Sequence, residues 1–245
     1  MEVININENG NYVINTQAKD ITVNINKCSA TITDVSSSCK NINVLNGELD
    51  YSYIKNKGFD CNNNISVNGG RCIINVIDLD KDNSLNNYLV EVNDEYSEFE
   101  INIASIAKGD VSKDYKIYSK NNLNDTKVKI DCFGIVEGKS SLKYDITSFV
   151  KNGAKRSVVN QNSKILLFDK ESVGINNPIL EIEENDVKAN HGSSIGMIDE
   201  ETLFYLTSRG IKESAARELV SMGKITYLIE KIKDENIKKE LLERV

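Results

Sequence analysis

A chain of 245 residues with 30 Lys+Arg against 37 Asp+Glu carries a net charge of −7 and is long enough for one or two domains with a sizeable core. An acidic surface repels a phosphate backbone, and the lysines are scattered among acids rather than gathered in a patch, so no nucleic-acid partner is expected. No apolar run approaches the roughly 20 residues that cross a bilayer; the longest, ILLF at 165–168, has a strand's length, and no membrane partner is expected.

The opening MEVININENG is acidic and polar, without the basic flank and apolar core of a secretion signal, which points to a soluble, cytoplasmic protein. From there to about residue 180 short alternating runs dominate: EVININ, ITVNIN, NISVN, CIINVI, FEINIA and VKIDCF. Period two sends alternate side chains to opposite faces of a strand, and the frequent Val, Ile, Tyr and Thr suit strands, while Asn, Gly, Asp and Ser between the runs suit turns. Ile21, Ile32, Ile54, Ile65 and Val76 fall on one comb of 11 residues, Cys28, Cys39, Cys61 and Cys72 on a second, and Gly47, Gly58 and Gly69 on a third. Two such segments make a coil of about 22 residues, so a solenoid of stacked parallel coils is expected. Exposed asparagines stacked from coil to coil would form amide ladders.

The five cysteines, Cys28, Cys39, Cys61, Cys72 and Cys132, are odd in number and include no C-x-x-C. In a reducing compartment they read as free thiols filling the core, the sharper alternative being a thiolate ladder for a soft metal. GIVEGKSS at 134–141 only approximates a phosphate-binding loop: its glycines are one residue too close and no helical pattern follows, so no nucleotide is expected on this chain.

At Asp199 the period changes to 3.6, and four short helices are expected. Asp199 caps the first, with Glu200 and Glu201 in its first turn, Leu203, Phe204 and Leu206 as apolar contacts and Gly210 as its stop. The second spans about 212–222, with Ala215, Ala216, Leu219 and Val220 on one face and Gly223 as its stop; the third carries Ile225, Leu228, Ile229 and Ile232, and the last Ile237, Leu241, Leu242 and Val245. The chain therefore divides into a strand solenoid at 1–197 and a helical subdomain at 198–245. The helices either cap the solenoid's open end or offer a face to a partner. His191, the only histidine, falls near the seam. Its imidazole is a borderline ligand for iron, or else a structural group hydrogen-bonded at the junction.

The stretch NPILEIEENDVKANHGSSIGMIDEETLFYLTSRGI resembles the C-terminal signature of the SufB/SufD family, in which P-x-L-E-I-x-x-x-D-V leads to H-G-A-[ST]-x-G-x-[LI]-D and then L-F-Y-L-x-[ST]-R-G-I. Pro178, Leu180, Glu181, Ile182, Asp186, Val187, His191, Gly192, Gly196, Asp199, Leu203, Phe204, Tyr205, Arg209 and Gly210 match in order. The resemblance implies a right-handed parallel β-helix with a small helical subdomain, serving as a non-enzymatic scaffold for iron–sulfur cluster assembly. It implies pairing through the β-helix, with a sister chain or a second copy, and an ABC-type ATPase like SufC gripped by the C-terminal helices. Leu203, Phe204, Tyr205, Arg209 and Gly210 would be the ATPase contacts, and His191 a ligand of a transient iron–sulfur cluster at the dimer interface. ATP-driven closure of the ATPase would distort the scaffold pair and expose the assembly site. Some family positions differ. Ala189 stands where a SufD-like cysteine often precedes the histidine, Gly192 is the SufD-like choice after it, and Ser163 lies where a SufB-like thiol would fall. The chain is thus closer to SufD or to a compact form. A β-helical carbohydrate-active enzyme and a purely structural solenoid are the rivals, and neither accounts for the LFYLTSRGI tail.

Overall fold

The computed structural model describes residues 1–55, 57–197 and 199–244, apart from the side chains of Ser221, Lys224 and Arg244. The described strands are β1 (Glu2–Ile6), β2 (Gly10–Ile14), β3 (Asp20–Asn26), β4 (Ser29–Asp34), β5 (Cys39–Lys55), β6 (Cys61–Asp78), β7 (Ser84–Val92), β8 (Glu98–Gly109), β9 (Ser112–Asn121), β10 (Lys127–Gly138), β11 (Ser141–Val150), β12 (Val158–Leu167), β13 (Val173–Ile182) and β14 (Lys188–Met197). Every pairing among the described residues is parallel, and strands pair with those one coil away: two strands on in the sequence for most, and the next strand where the long β5 and β6 each make a whole coil. The result is a parallel β-helix whose coils each give one strand to each of two faces. The first face runs β1, β3, the leading halves of β5 and β6, then β7, β9, β11 and β13. The second runs β2, β4, the trailing halves of β5 and β6, then β8, β10, β12 and β14.

The expected constant coil of about 22 residues is not what holds the stack in register. Stacked residues are 19 apart in the first coils (Asn5 and Asn24), 23 in the next (Asn41 and Asn64), then 29 (Ser112 and Ser141) and 32 (Asp145 and Asn177). Strand pairing fixes which residues stack, whereas the corners absorb length freely. Ile21, Ile32, Ile54, Ile65 and Val76 are all buried, yet Ile21 stands beside Lys40 and Ile32 beside Tyr51. The cysteine comb dissolves in the same way: Cys72 stacks on Leu49 and Cys61 beside Asn86. The thiols fill core positions, Cys39 alone among them being only half-buried.

The interior is built of columns one residue wide, such as Ala30, Leu49, Cys72, Phe99, Val128 and Val159, all buried. On the outside the asparagine ladders form: Asn43 Nδ2 donates to Asn24 Oδ1 at 2.8 Å, and Asn24 Nδ2 to Asn5 Oδ1 at 2.8 Å. β5 and β6 pass from one face to the other without a loop. Gly47 and Gly70 stack at that bend, and a Cβ on Gly70 would lie 2.0 Å from the Gly47 carbonyl oxygen, at a φ of +92° that side chains avoid.

Among the described residues three helices follow rather than four: α1 (Glu200–Ser208), α2 (Glu213–Glu230) and α3 (Glu235–Arg244). Gly223 does not end a helix but lies inside α2. A glycine there costs about 1 kcal/mol against alanine, which the burial of Ile225, Leu228 and Ile229 just beyond it offsets. These residues, with Ile232 and Leu241, pack on Ile54, Ile77, Ala104, Phe133, Ile135 and Phe168, which point outward from the second face and its corner. The helices therefore cover the flank of the solenoid and not its end, because that outward apolar column offers them a wall. Of the face expected on the second helix, Ala216 is buried, Val220 packs against the same cluster and Ala215 is half-buried, whereas Leu219 is exposed. Val245, expected in the last apolar set, lies outside the described residues. No helix among the described residues is long and apolar enough to cross a membrane.

Candidate functional site

The C-terminal end of the solenoid is the coil made by β13 and β14, each paired on one side only, as β1 and β2 are at the other end. Along β14, His191 stands beside Gln161, Ser193 beside Ser163, Ile195 beside Ile165 and Met197 beside Leu167. Gln161, Ser163 and Ile165 are buried inside the coil below. Because the alternation continues in register, His191, Ser193, Ile195 and Met197 occupy interior positions on which no further coil is laid. Ile195 and Met197 are accordingly 44% and 52% exposed, and His191 is exposed as well. Opposite them on β13, Gly174, Asn176, Pro178 and Leu180 are only half-buried, while Glu181 and Glu183 are solvated.

The core changes character as it nears this end. The column Val23, Ile42, Ile65 and Val90 gives way to Ser119 and Ser148, joined by a 2.8 Å hydrogen bond from Ser119 Oγ to Ser148 Oγ. Gln161 Nε2 donates to Ser148 Oγ at 2.8 Å and to the Ile179 carbonyl at 3.0 Å.

Beyond β14 the chain enters α1. Asp199 caps it, accepting from the Thr202 hydroxyl at 2.6 Å, from Glu201 N at 3.2 Å and from Thr202 N at 3.1 Å, and these bonds, the hydroxyl's first, hold its carboxyl below the usual range. Gly210, at φ +85°, turns the chain after the last residue of the cap, its N–H donating to the Thr207 carbonyl at 2.9 Å. Of the five residues expected on this segment, Leu203 is half-buried against the α2 cluster and holds α1 in place. Phe204 and Tyr205 are 73% and 56% exposed, and the Arg209 guanidinium lies 4.9 Å from the centre of the Tyr205 ring. Tyr205 and Arg209 thus make an aromatic and cationic pair, with the exposed Phe204 next to Tyr205 in the helix; Gly210 shapes the turn that follows.

Two features were not read from the sequence. A cleft of about 800 Å³ separates the first half of α2 from the solenoid corners, lined by Leu79, Asp80, Lys108, Phe168, Arg217 and Met222 among others. Arg217 spans it, its Nη1 donating to the Phe168 carbonyl at 2.7 Å. Below lies a buried charge cluster: Lys113 Nζ is 2.5 Å from Asp78 and 3.6 Å from Asp80, Lys55 Nζ donates to Asn86 Oδ1 at 3.0 Å, and Tyr115 donates to Asp78. Burial pushes the Asp78 carboxyl up, but Lys113 and Lys55 outweigh it and hold it below its ordinary value. Burial, reinforced by Asp78 beside it, pushes Asp80 up to about 6. The available signal was lysine at inward strand positions, Lys40, Lys55 and Lys113, each of which needs a buried counter-charge. Burial also raises the Cys72 and Cys132 thiols far above their ordinary range, so they are not ready thiolates. Among the described residues no three His, Cys, Asp or Glu side chains gather as a metal site.

A two-faced parallel β-helix with flank-packed C-terminal helices and an open last coil places the chain among the parallel β-solenoids. Comparison with known families matches residues 3–224 to the SufBD core domain of SUF-system FeS cluster assembly. The chain belongs to that family. It is 33% identical over 109 residues to the iron–sulfur cluster assembly protein SufD of Bacillus subtilis, a stretch covering 44% of this chain and 25% of that protein. It is 41% identical over 68 residues to SufD of Escherichia coli, covering 28% and 16%. It is 46% identical over 65 residues to an iron–sulfur cluster assembly SufBD family protein of Mycobacterium tuberculosis, covering 26% and 16%. The match thus spans a quarter or less of the length of these relatives.

Proposed function

We propose that this chain is a scaffold subunit for iron–sulfur cluster assembly, working in the cytoplasm. It pairs through its last coil with a second β-helix, taken here as a copy of itself, and docks a SufC-like ABC ATPase through α1. The observation that carries the reading is the last coil: interior positions of β14, His191 among them, face solvent with nothing stacked on them. A second β-helix laid on this end would bury Ile195 and Met197 and satisfy the free strand edges. It would also bring His191 to a shared seam, where one imidazole and groups from the partner could hold iron that neither chain holds alone. The cluster is cargo rather than a resident group. A neutral imidazole is a suitable borderline ligand for it, and one that can be released.

The exposed Phe204, Tyr205 and Arg209 give α1 the composition of an interface centre, aromatic with arginine. Force applied there by a nucleotide-driven partner reaches the solenoid through α2, whose buried side chains lie on the second face. The nucleotide belongs to the partner: GIVEGKSS spans the end of β10 and the turn into β11, with no helix N-terminus to receive a phosphate.

Two measurements test the reading. Phe204→Ala and Arg209→Glu should each abolish co-purification with the ABC-type ATPase while leaving the circular dichroism unchanged; retention of the ATPase by both variants contradicts the docking assignment. Anaerobic reconstitution with ferrous iron and sulfide should give visible charge-transfer absorbance that His191→Ala reduces at least severalfold. Equal absorbance in His191→Ala removes His191 from the ligand set.

A further inference from the structure

Gln161 is 3% exposed and lies one strand below His191 in register, a separation of about 4.8 Å between backbones. Its amide is fixed in one orientation. Nε2 donates to the Ile179 carbonyl at 3.0 Å, and a carbonyl can only accept, so the amide cannot be flipped without losing that bond. The second Nε2 proton goes to Ser148 Oγ at 2.8 Å. Oε1 is thereby left as a buried acceptor, and no group among the described residues answers it. Such an atom is costly unless something donates to it. The amide of Asn176 is no candidate, since its Nδ2 already donates to the carbonyls of Ser163 at 3.4 Å and Ser194 at 3.2 Å. His191 takes the interior position directly over Gln161 in the column, and among the described residues no hydrogen bond holds its ring.

We propose that Gln161 is the positioning residue of His191, its Oε1 accepting one imidazole N–H so that the other ring nitrogen is left unprotonated toward the open end. The consequence is chemical. An imidazole binds a metal through its unprotonated nitrogen, and an acceptor on the opposite N–H selects the tautomer and aims the lone pair. The use made of that lone pair rests on the ligand reading of His191 above; the bond itself does not.

The test is the tautomer of His191, read above neutral pH from long-range proton–nitrogen correlations in the histidine-labelled chain, where one histidine gives one signal set. The intact chain should show a single dominant tautomer. Gln161→Leu should return the mixture of a free imidazole, Gln161→Glu should keep the single form, and Ser163→Ala should leave it unchanged although Ser163 Oγ is also unanswered. Contacts between His191 ring protons and the Gln161 Hγ protons in the unsubstituted chain give the same answer should a variant fail to fold. Identical tautomer populations with and without Gln161, absence of those ring contacts, or a shift caused by Ser163→Ala overturns the assignment. A fixed tautomer together with unchanged iron binding in His191→Ala would leave the positioning intact and remove only the ligand role.

Discussion

At the scale of single residues, the interior of this solenoid is unusual for the charges it holds. Lys55, Asp78, Asp80 and Lys113 are buried together, and two anions against two cations leave no net charge in the interior. The two carboxyls respond in opposite senses: Asp78 is held below its ordinary value and Asp80 is raised to about 6. A carboxyl that binds its proton more tightly in the folded chain than in the unfolded one stabilises the fold at low pH, and that stability is lost as pH rises through the folded value. Asp80 should therefore cost stability between about pH 4 and pH 7. Asp80→Asn carries no such titration. Its unfolding free energy relative to the unsubstituted chain should rise over that interval, read by denaturant unfolding at each pH. A difference that falls with pH would contradict the placement of Asp80.

At the scale of elements, the sequence was most legible where one pattern has one physical cause. Alternating runs with turn residues between them became strands, and Asp199 and Gly210 bound α1 because a capping carboxylate and a left-handed glycine answer backbone groups locally. Gly223 was misleading because its effect is small beside tertiary packing, and Ile225, Leu228 and Ile229 settle the matter on the next turn. The combs of 11 failed because inward positions in coils of 19 and 23 residues coincide with that spacing over the first few coils only. The site was partly legible: the motif marked His191 and the α1 patch, but nothing local to the sequence says that helices lie on the flank and leave the end bare. That depends on Ile54, Ile77, Ala104 and Phe133 aligning outward across four coils. Ile229→Ala should remove about 2–5 kcal/mol from the docking of α2. Hydrogen exchange should then accelerate through α2 and α3 while β7–β12 stay protected; acceleration spread evenly over the strands would contradict a separable helical layer.

At the scale of the whole molecule, a stack of coils transmits stability only between neighbours, so its two ends decide whether it is complete. Here the last coil carries interior residues with no coil above them, and the helices that could have covered it are committed to the side. As proposed above, that end is a pairing surface. The most direct measurement is sedimentation equilibrium of the isolated 27.4 kDa chain beside Ile195→Asp, with circular dichroism as a check on folding. The unsubstituted chain should sediment at twice its mass, and the variant, still folded, at the mass of one. A monomer in both cases, or a dimer that Ile195→Asp leaves intact, would contradict it.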